Sequence, residues 1–319
     1  MSTAAADERR KTVCVTGGSG YIASGLIKFL LEKGYAVNTT VRNPDDEKKI
    51  SHLKDLQSLG PLKIFRADLN EEGSFDEAIT GCVFVFLVAA PVVVDSENLE
   101  EDITETNVRG TLNVMGSCVR ARATVKRVVL TSSVAAVLHD GRTTMQGGDD
   151  GHVVANAYGA GKVRSEKEAS RVARENGISL VTVLPVIVVG AAPATRGFNS
   201  SSLVLSLLAG ERSRARSIAG RRVVSSMAFA ILTCHEATTE MLKATQDLAG
   251  GTARLAGFLA GKFPQYNVKT DGFGDVAEEP RMLISSEKLV GEGFEYECKN
   301  LDDMFDDAVE YGKALGMLP

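Results

Sequence analysis

Apolar and polar positions change their spacing regularly along the first 190 residues. Short, largely apolar runs rich in Val, Ile and Leu alternate with longer stretches whose apolar residues recur at helical spacing. Strands that are apolar on both faces are typical of parallel sheets covered by helices. The pattern predicts strands at 12–16, 36–42, 62–69, 83–90, 127–133 and 179–189, and helices at 21–33, 45–59, 74–79, within 97–122 and after Tyr158.

This alternation predicts an α/β fold built on a doubly wound parallel sheet, the Rossmann arrangement, because repeated β–helix–β units with right-handed crossovers produce it. We expect residues 10–190 to form a nucleotide-binding domain. Beyond that point Gly, Ser and Ala become frequent, so residues 191–319 are expected to form a smaller, mainly substrate-binding region with some segments returning to the main sheet. Chemistry is expected beyond the carboxyl ends of the strands.

Charge and composition narrow the range of partners. The net charge is −5, which argues against a nucleic-acid partner, and the basic cluster at 212–222 is interpreted as a solvated surface. There is no run of 18 apolar residues and no apolar signal core, so we expect no membrane span and a cytoplasmic protein. Five widely spaced cysteines and four scattered histidines predict neither a disulfide framework nor a metal site.

A glycine-rich turn follows the first predicted strand. Gly17 permits the tight turn out of the strand, Gly20 leaves room for a pyrophosphate to approach the backbone, and Ala23 lets the helix pack close to the strand. A simple strand-to-helix turn is the alternative interpretation. Because the turn follows a strand and opens an apolar helix whose N-terminus attracts phosphate, we predict dinucleotide binding, with the glycine spacing typical of short-chain dehydrogenases.

The ends of the next strands predict which dinucleotide binds. Arg42 stands where NAD enzymes usually place an acidic residue, and an arginine suits the 2′-phosphate of NADPH; Lys49 could add positive charge, although a solvated helix position is its alternative. Asp68 and Leu69 are expected to face the adenine ring. Four small or apolar residues after the fourth strand are expected beside the cofactor: Val88, Ala89, Ala90 and Pro91.

A tyrosine, a lysine and a serine form the candidate catalytic set. Tyr158 and Lys162 lie four residues apart on one helix face, and Ser133 follows the fifth strand. Reduction of a carbonyl needs a proton donor, and a lysine cation is expected to lower the tyrosine pKa. Lys162 could also hold the nicotinamide ribose, and Pro185 is expected to abut the nicotinamide ring.

These motifs and their flanking segments resemble the dihydroflavonol reductase-like group of extended short-chain dehydrogenases, and the anthocyanidin reductases in particular. The segments that carry the resemblance include VTGGSGYIASGLIKFLLEKGYAVNTTVRNPDDEKKISHL, LKIFRADLNEEGSFDEAI, KRVVLTSSVAAV, LVTVLPVIVVGAAP and ISSEKLVGEGFEY. The resemblance implies an NADPH-dependent double reduction of anthocyanidins to flavan-3-ols such as epicatechin. It also implies cofactor contacts at Ser19, Gly20, Tyr21, Ile22, Arg42, Lys49, Val88, Ala89, Ala90, Pro91 and Tyr158.

Departures from the group keep two alternatives open. Leu87 replaces a usual histidine, the segment between Val137 and Tyr158 is about twenty residues shorter than a loop that normally faces substrate, and the group's pattern is lost between Arg212 and about Leu255. The shortened loop favours a reductase of a dihydroflavonol or another phenolic carbonyl. The divergent segment favours a paralogue that binds NADPH with little turnover.

Overall fold

The computed structural model of the chain describes residues 11–90, 99–138, 150–185, 188–194, 201–210, 252–270 and 301–319. The chain divides into two compact units. The first comprises residues 1–145, 156–184 and 192–197, and the second comprises residues 146–155, 185–191 and 198–319. The expected boundary at residue 190 stays a prediction. None of the helices in the described ranges has the length and apolar character needed to span a bilayer.

Strands and helices alternate along the first unit. Their order is β1 (Thr12–Val15), α1 (Tyr21–Glu32), β2 (Ala36–Val41), α2 (Glu47–Leu56), β3 (Leu62–Arg66), α3 (Asp76–Ile79), β4 (Phe84–Leu87), α4 (Leu99–Arg120), β5 (Arg127–Thr131), α5 (Val134–Leu138), α6 (Asp150–Asn176) and β6 (Ser179–Val183). Strands form at all of the predicted places, although β6 ends at Val183 rather than near residue 189.

The described strands form one parallel sheet in the order β3-β2-β1-β4-β5-β6. The strand order reverses between β1 and β4, and in doubly wound folds the ligand crevice lies at that point, beyond the carboxyl ends of the strands. The expected Rossmann fold is therefore confirmed. The glycine-rich turn after β1 and the segment after β4 both lie at this switch point.

Helices cover both faces of the sheet. In β1, Val13 and Val15 pack into one buried cluster with apolar residues of α1 and α2, whereas Cys14 packs into the other cluster with residues of α3, α4 and α6. Successive side chains of a strand point to opposite faces, so both faces are buried at this strand. Burial raises the pKa of the Cys82 thiol to about 11, and with the Cys14 side chain fully buried as well, both cysteines serve as small core residues.

Helix α6 begins earlier than the sequence indicates. It starts at Asp150, so Tyr158 lies about two turns inside the helix rather than at its start. Gly161 lies inside this helix although glycine is a poor helix former, and its neighbours explain why it is tolerated. A Cβ at Gly161 would lie 3.3 Å from Thr104 Cα and 3.4 Å from Asn107 Cβ, so the missing side chain lets α6 approach α4 closely.

The regular elements in the described part of the second unit are helices, beginning with the first residues of α6. The unit also contains α7 (Ser201–Leu208), α8 (Thr252–Lys262), a 3-10 turn (Pro264–Tyr266) and α9 (Leu301–Ala314). Helices α8 and α9 are joined by the rings of Phe258 and Phe305, whose centroids lie 5.3 Å apart, and by Lys262, which lies 3.0 Å from the carboxylate of Asp306. Leu205 of α7 packs against Gly312 of α9, where a Cβ would collide with it.

Candidate active site

The glycine-rich turn holds a conformation that only glycine adopts easily. Gly17 has φ +75°, and a Cβ there would lie 3.0 Å from Ala89 Cβ. The turn is tied to β2, because Gly17 N–H donates to Thr40 Oγ1 at 3.2 Å and Gly18 N–H donates to the Thr40 carbonyl at 2.9 Å. The predicted role of Gly17 in the tight turn agrees with this geometry.

Close packing also explains Gly18, a position that the sequence pattern did not single out. A Cβ at Gly18 would collide with Thr39 Oγ1, so the turn lies directly against β2. At Gly20, which caps α1 without any side-chain hydrogen bond, a Cβ would lie 3.1 Å from the Gly17 carbonyl. An α-helix N-terminus beside a turn with three glycines fits the pyrophosphate of a dinucleotide.

Two side chains outside the glycine motif brace this turn. Thr16 Oγ1 accepts the backbone N–H groups of Val88 and Ala89, each at 3.0 Å, and thereby joins the end of β1 to the segment after β4. His52 of α2 lies with Nε2 3.2 Å from the Gly18 carbonyl, and burial lowers the pKa of its ring. A neutral ring can donate this hydrogen bond. A lone threonine and a lone histidine give no motif in the sequence, so neither could have been found there.

The two predicted 2′-phosphate residues differ in their surroundings. Arg42 follows β2 directly and is exposed, two residues beyond the Thr40 carbonyl that receives the turn. Lys49 of α2 lies 3.3 Å from Asp46, so it forms an ion pair with the residue that precedes its own helix. Arg42 is therefore the stronger candidate for pairing with the 2′-phosphate, and this pairing stays a prediction. The contribution of Lys49 also stays a prediction, because its ion pair with Asp46 already accounts for its position.

Asp68 and Leu69 lie beyond the end of β3, where Asp68 is engaged within its own loop and Leu69 is engaged by α4. An Asp68 side-chain oxygen accepts the Asn70 N–H at 2.8 Å, and the Leu69 carbonyl accepts the Asn113 side-chain N–H at 2.8 Å. Leu69 packs so closely on Gly110 that a Cβ there would lie 3.0 Å from Leu69 Cβ. Their adenine contacts stay predictions.

The candidate catalytic residues meet beyond the end of β5. The Ser133 side chain lies close enough to the Tyr158 phenol to lower the pKa of Tyr158, and the Ser133 hydroxyl accepts the Ala135 N–H at 3.2 Å. Ser133 is the first residue before α5, where the chain leaves the strand. The predicted serine, Ser133, therefore lies beside Tyr158, whereas the hydroxyl of the neighbouring Ser132 donates to Glu166.

Lys162 lies beneath this pair and is almost wholly buried, with 7% of its surface exposed. Its ammonium group donates to the Thr131 carbonyl at 3.2 Å and lies 5.6 Å from the centre of the Tyr158 ring, within cation–π range. Burial lowers the pKa of Lys162 to about 8, while the nearby charge of Glu166 acts in the opposite direction.

The electrostatics of Tyr158 differ from the expectation. Lys162 was expected to lower the pKa of Tyr158, but burial raises this pKa, and the nearby Ser133 side chain offsets the rise only in part. The reason is that the phenol lies in a largely dehydrated place, which disfavours the charged form. Tyr158 therefore keeps its proton at neutral pH, the form that a proton donor needs.

A small pocket opens beside this lysine. Its lining consists of Leu69, Leu87, Ala89, Asn107, Thr111, Leu130, Thr131, Ser132, Lys162 and Ser165. Asn107 and Thr111, both on α4, were not predicted; their only sequence signal is their position on the long helix that packs on α6. Ser165 Oγ is buried and has no hydrogen-bond partner among the described residues, so the pocket contains an unused polar group.

The first unit thus brings the predicted residues together in two adjoining groups. One comprises Gly17, Ser19, Gly20, Tyr21, Ile22, Val88, Ala89 and Ala90, and the other comprises Ser133, Tyr158 and Lys162. Pro91 lies outside the described residues. Pro185 belongs to the second unit, and its place beside a nicotinamide ring stays a prediction.

Comparison with known proteins shows where this arrangement recurs. Residues 13–220 match the model of the NAD dependent epimerase/dehydratase family. The chain belongs to this family. An anthocyanidin reductase ((2S)-flavan-3-ol-forming) of Vitis vinifera is 41% identical to it over 336 residues, covering 97% of each chain. A dihydroflavonol 4-reductase of Callistephus chinensis is 37% identical, covering 97% of this chain and 88% of that protein.

A solved structure agrees with this placement in the NAD dependent epimerase/dehydratase family. The crystal structure of vestitone reductase from alfalfa (Medicago sativa L.) superposes with a TM-score of 0.69 at 28% identity, covering 97% of this chain and 100% of that one. The resemblance to the dihydroflavonol reductase-like group is thereby confirmed, as is the expectation of an NAD(P)-dependent oxidoreductase of the extended short-chain type.

Proposed function

We propose that this protein reduces anthocyanidins to flavan-3-ols with NADPH as the hydride donor. The observation that carries the proposal is the 41% identity to anthocyanidin reductase over 97% of both chains. It is supported by the meeting of Ser133, Tyr158 and Lys162 in the first unit.

The glycine-rich turn and Arg42 would bind the cofactor. NADPH supplies hydride when it is bound. Gly17, Gly18 and Gly20 leave space for the pyrophosphate at the start of α1. Arg42 would pair with the 2′-phosphate, since a guanidinium group matches phosphate oxygens in a forked geometry. The preference for NADPH over NADH rests on this arginine.

Proton delivery would fall to Tyr158. Its phenol is neutral at neutral pH, and the nearby Ser133 side chain favours release of the proton, because it lowers the pKa of Tyr158. When the phenol gives its proton to the substrate, the Lys162 ammonium 5.6 Å from the ring centre stabilises the resulting negative charge. Converting a flavylium cation into a flavan-3-ol takes two hydrides and one proton, so two molecules of NADPH are consumed for each product.

A second candidate is reduction of a dihydroflavonol or another phenolic carbonyl. The 37% identity to a dihydroflavonol 4-reductase over 97% of this chain favours it, and such a reaction would use the same three side chains. A single hydride and a single proton then suffice for each product. The stoichiometry of NADPH consumption therefore separates the two candidates.

The purified protein should be incubated with NADPH and cyanidin, and the products should be separated and identified. Formation of a flavan-3-ol with two NADPH oxidised per product supports the proposal. Turnover confined to dihydroflavonols or other phenolic ketones replaces it with the second candidate. Tight NADPH binding without turnover on any of these substrates would refute both and favour a cofactor-binding paralogue.

A further inference from the structure

Glu166 of α6 is linked to the candidate active site through Ser132, which lies just after β5. It lies four residues beyond Lys162 on α6, and its carboxylate accepts a short hydrogen bond from the hydroxyl of Ser132. Ser132 is buried, with 4% of its surface exposed, and directly follows Thr131, whose carbonyl accepts the Lys162 ammonium at 3.2 Å. Consecutive residues at the end of β5 thus hold two side chains of the same helix face.

The side chains around Lys162 in the described part of the chain are neutral or apolar, apart from the carboxylate of Glu166. Helix α4 presents Asn107 and Thr111 to the pocket, β5 presents Thr131 and Ser132, and the ends of β3 and β4 present apolar side chains. On its own helix, Lys162 faces the neutral phenol of Tyr158 and the carboxylate of Glu166. Among the described residues around this lysine, Glu166 is the negative charge that opposes the effect of burial.

We propose that Glu166 is a positioning residue of this site: held by Ser132, its carboxylate keeps the buried Lys162 ammonium charged and bound to the Thr131 carbonyl. An ammonium in that place is what stabilises the phenolate left on Tyr158 after its proton has moved to substrate. Glu166 itself touches neither substrate nor cofactor in this account. The inference rests on the proposed function for its role in turnover, but the charge of Lys162 is measurable without turnover.

The matched pair of variants is Glu166→Gln and Glu168→Gln. Both remove one negative charge from α6 with little change in shape, but Glu168 is partly exposed and paired with Arg171 at 3.0 Å. Lysine side chains carrying ¹³C at Cε should be titrated by NMR in the full-length protein, with Lys162→Met used to assign the signal. Ser132→Ala is the third variant, because it keeps the charge but releases the carboxylate.

In Glu166→Gln the ratio of charged to neutral Lys162 should fall about tenfold at a given pH, which is a shift of the titration midpoint by about one pH unit to lower pH. Glu168→Gln should titrate as the unmodified protein does, and Ser132→Ala should lie between the two. If turnover is observed, the alkaline limb of the kcat profile should move to lower pH in the same order. A residue that served only to hold the fold together would leave that limb in place.

An unchanged Lys162 titration in both Glu166→Gln and Ser132→Ala would overturn the inference, as would an equal shift in Glu168→Gln. The same titration keeps it apart from the reductase proposal. A shifted Lys162 midpoint in a protein that reduces no phenolic substrate supports the role of Glu166 and defeats the reductase proposal. Normal flavan-3-ol formation with an unshifted Lys162 midpoint supports the reductase proposal and defeats the role of Glu166.

Discussion

The ammonium group of Lys162 donates a hydrogen bond to the carbonyl of Thr131 at 3.2 Å, in a place where 7% of the lysine surface is exposed. A buried cation destabilises a fold unless its environment compensates for the lost water. The pKa of Lys162 falls from 10.5 to about 8, which corresponds to a cost on the order of 3 kcal/mol at neutral pH. The fold tolerates this cost at the place where the proposed chemistry needs a cation.

Replacement of this lysine should therefore separate stability from activity. Lys162→Met should raise the free energy of unfolding at pH 7 by about 1–3 kcal/mol, since the loss of the hydrogen bond to Thr131 offsets part of the gain. Turnover should fall by at least about 100-fold because the phenolate loses its counter-charge. Denaturant unfolding and steady-state assays measure the two effects.

The stability difference should also depend on pH. The folded-state pKa of Lys162 is lower than its unfolded value, so burial penalises folding fully below about pH 8 and ceases to do so above 10.5. The advantage of Lys162→Met should accordingly shrink as pH rises through this window. An advantage that stayed constant from pH 7 to 10.5 would contradict the buried-cation explanation.

Tyr158→Phe tests the assignment of the proton donor. The variant removes the hydroxyl that lies near Ser133 but keeps the ring, so turnover should fall by about 100-fold or more while the Kd for NADPH changes by less than about twofold. Tyr35→Phe is the control. Tyr35 precedes the amino end of β2, whereas the candidate site lies beyond the carboxyl ends of the strands, so this variant should keep full turnover. Retained activity in Tyr158→Phe would refute the role assigned to this residue.

Arg42→Asp tests the preference for the 2′-phosphate. An aspartate at this exposed position would repel the 2′-phosphate of NADPH and could accept a hydrogen bond from the ribose hydroxyl of NADH. NADPH binding should therefore weaken by at least about tenfold, while NADH binding changes little. Lys126→Asp makes the same charge change just before β5, at the amino edge of the sheet, and should leave both affinities unaltered. Equal weakening of both cofactors in Arg42→Asp would argue against 2′-phosphate recognition.

The glycine turn offers a similarly controlled pair of variants. Gly17→Ala places a methyl group 3.0 Å from Ala89 Cβ at a φ of +75°, so the turn must shift and NADPH should bind at least about tenfold more weakly. In Gly25→Ala the new methyl group meets nothing within 4 Å inside α1, so it should leave NADPH binding unchanged and stabilise the helix by about 1 kcal/mol. Fluorescence titration with NADPH and thermal unfolding measure both outcomes.

The sheet was predictable because its signals are local. Each strand carries its own apolar run, and the turn at Gly17 carries the glycine that a φ of +75° requires. The order β3-β2-β1-β4-β5-β6 follows from right-handed crossovers and the usual reversal at the first strand. The spacing of Tyr158 and Lys162 likewise places both on one helix face.

What the sequence could not indicate depends on contacts between distant segments. The close approach of α6 to α4 at Gly161 explains a residue that looks unfavourable in a helix, and it becomes apparent only when Asn107 is seen beside it. The direction of the Tyr158 pKa was wrong in the sequence-based prediction, because burial of the phenol follows from tertiary packing. Thr16 and His52 brace the turn from outside any motif.

Isotope transfer from the cofactor tests the central claim most directly. The protein should be given cyanidin with NADPH deuterated at both hydrogens of the nicotinamide C4, and the product should be examined by mass spectrometry. The native chain should form a flavan-3-ol that carries two deuterium atoms, and Tyr158→Phe should form almost no flavan-3-ol. A flavan-3-ol without deuterium, or equal deuterated product from the two proteins, would contradict this claim.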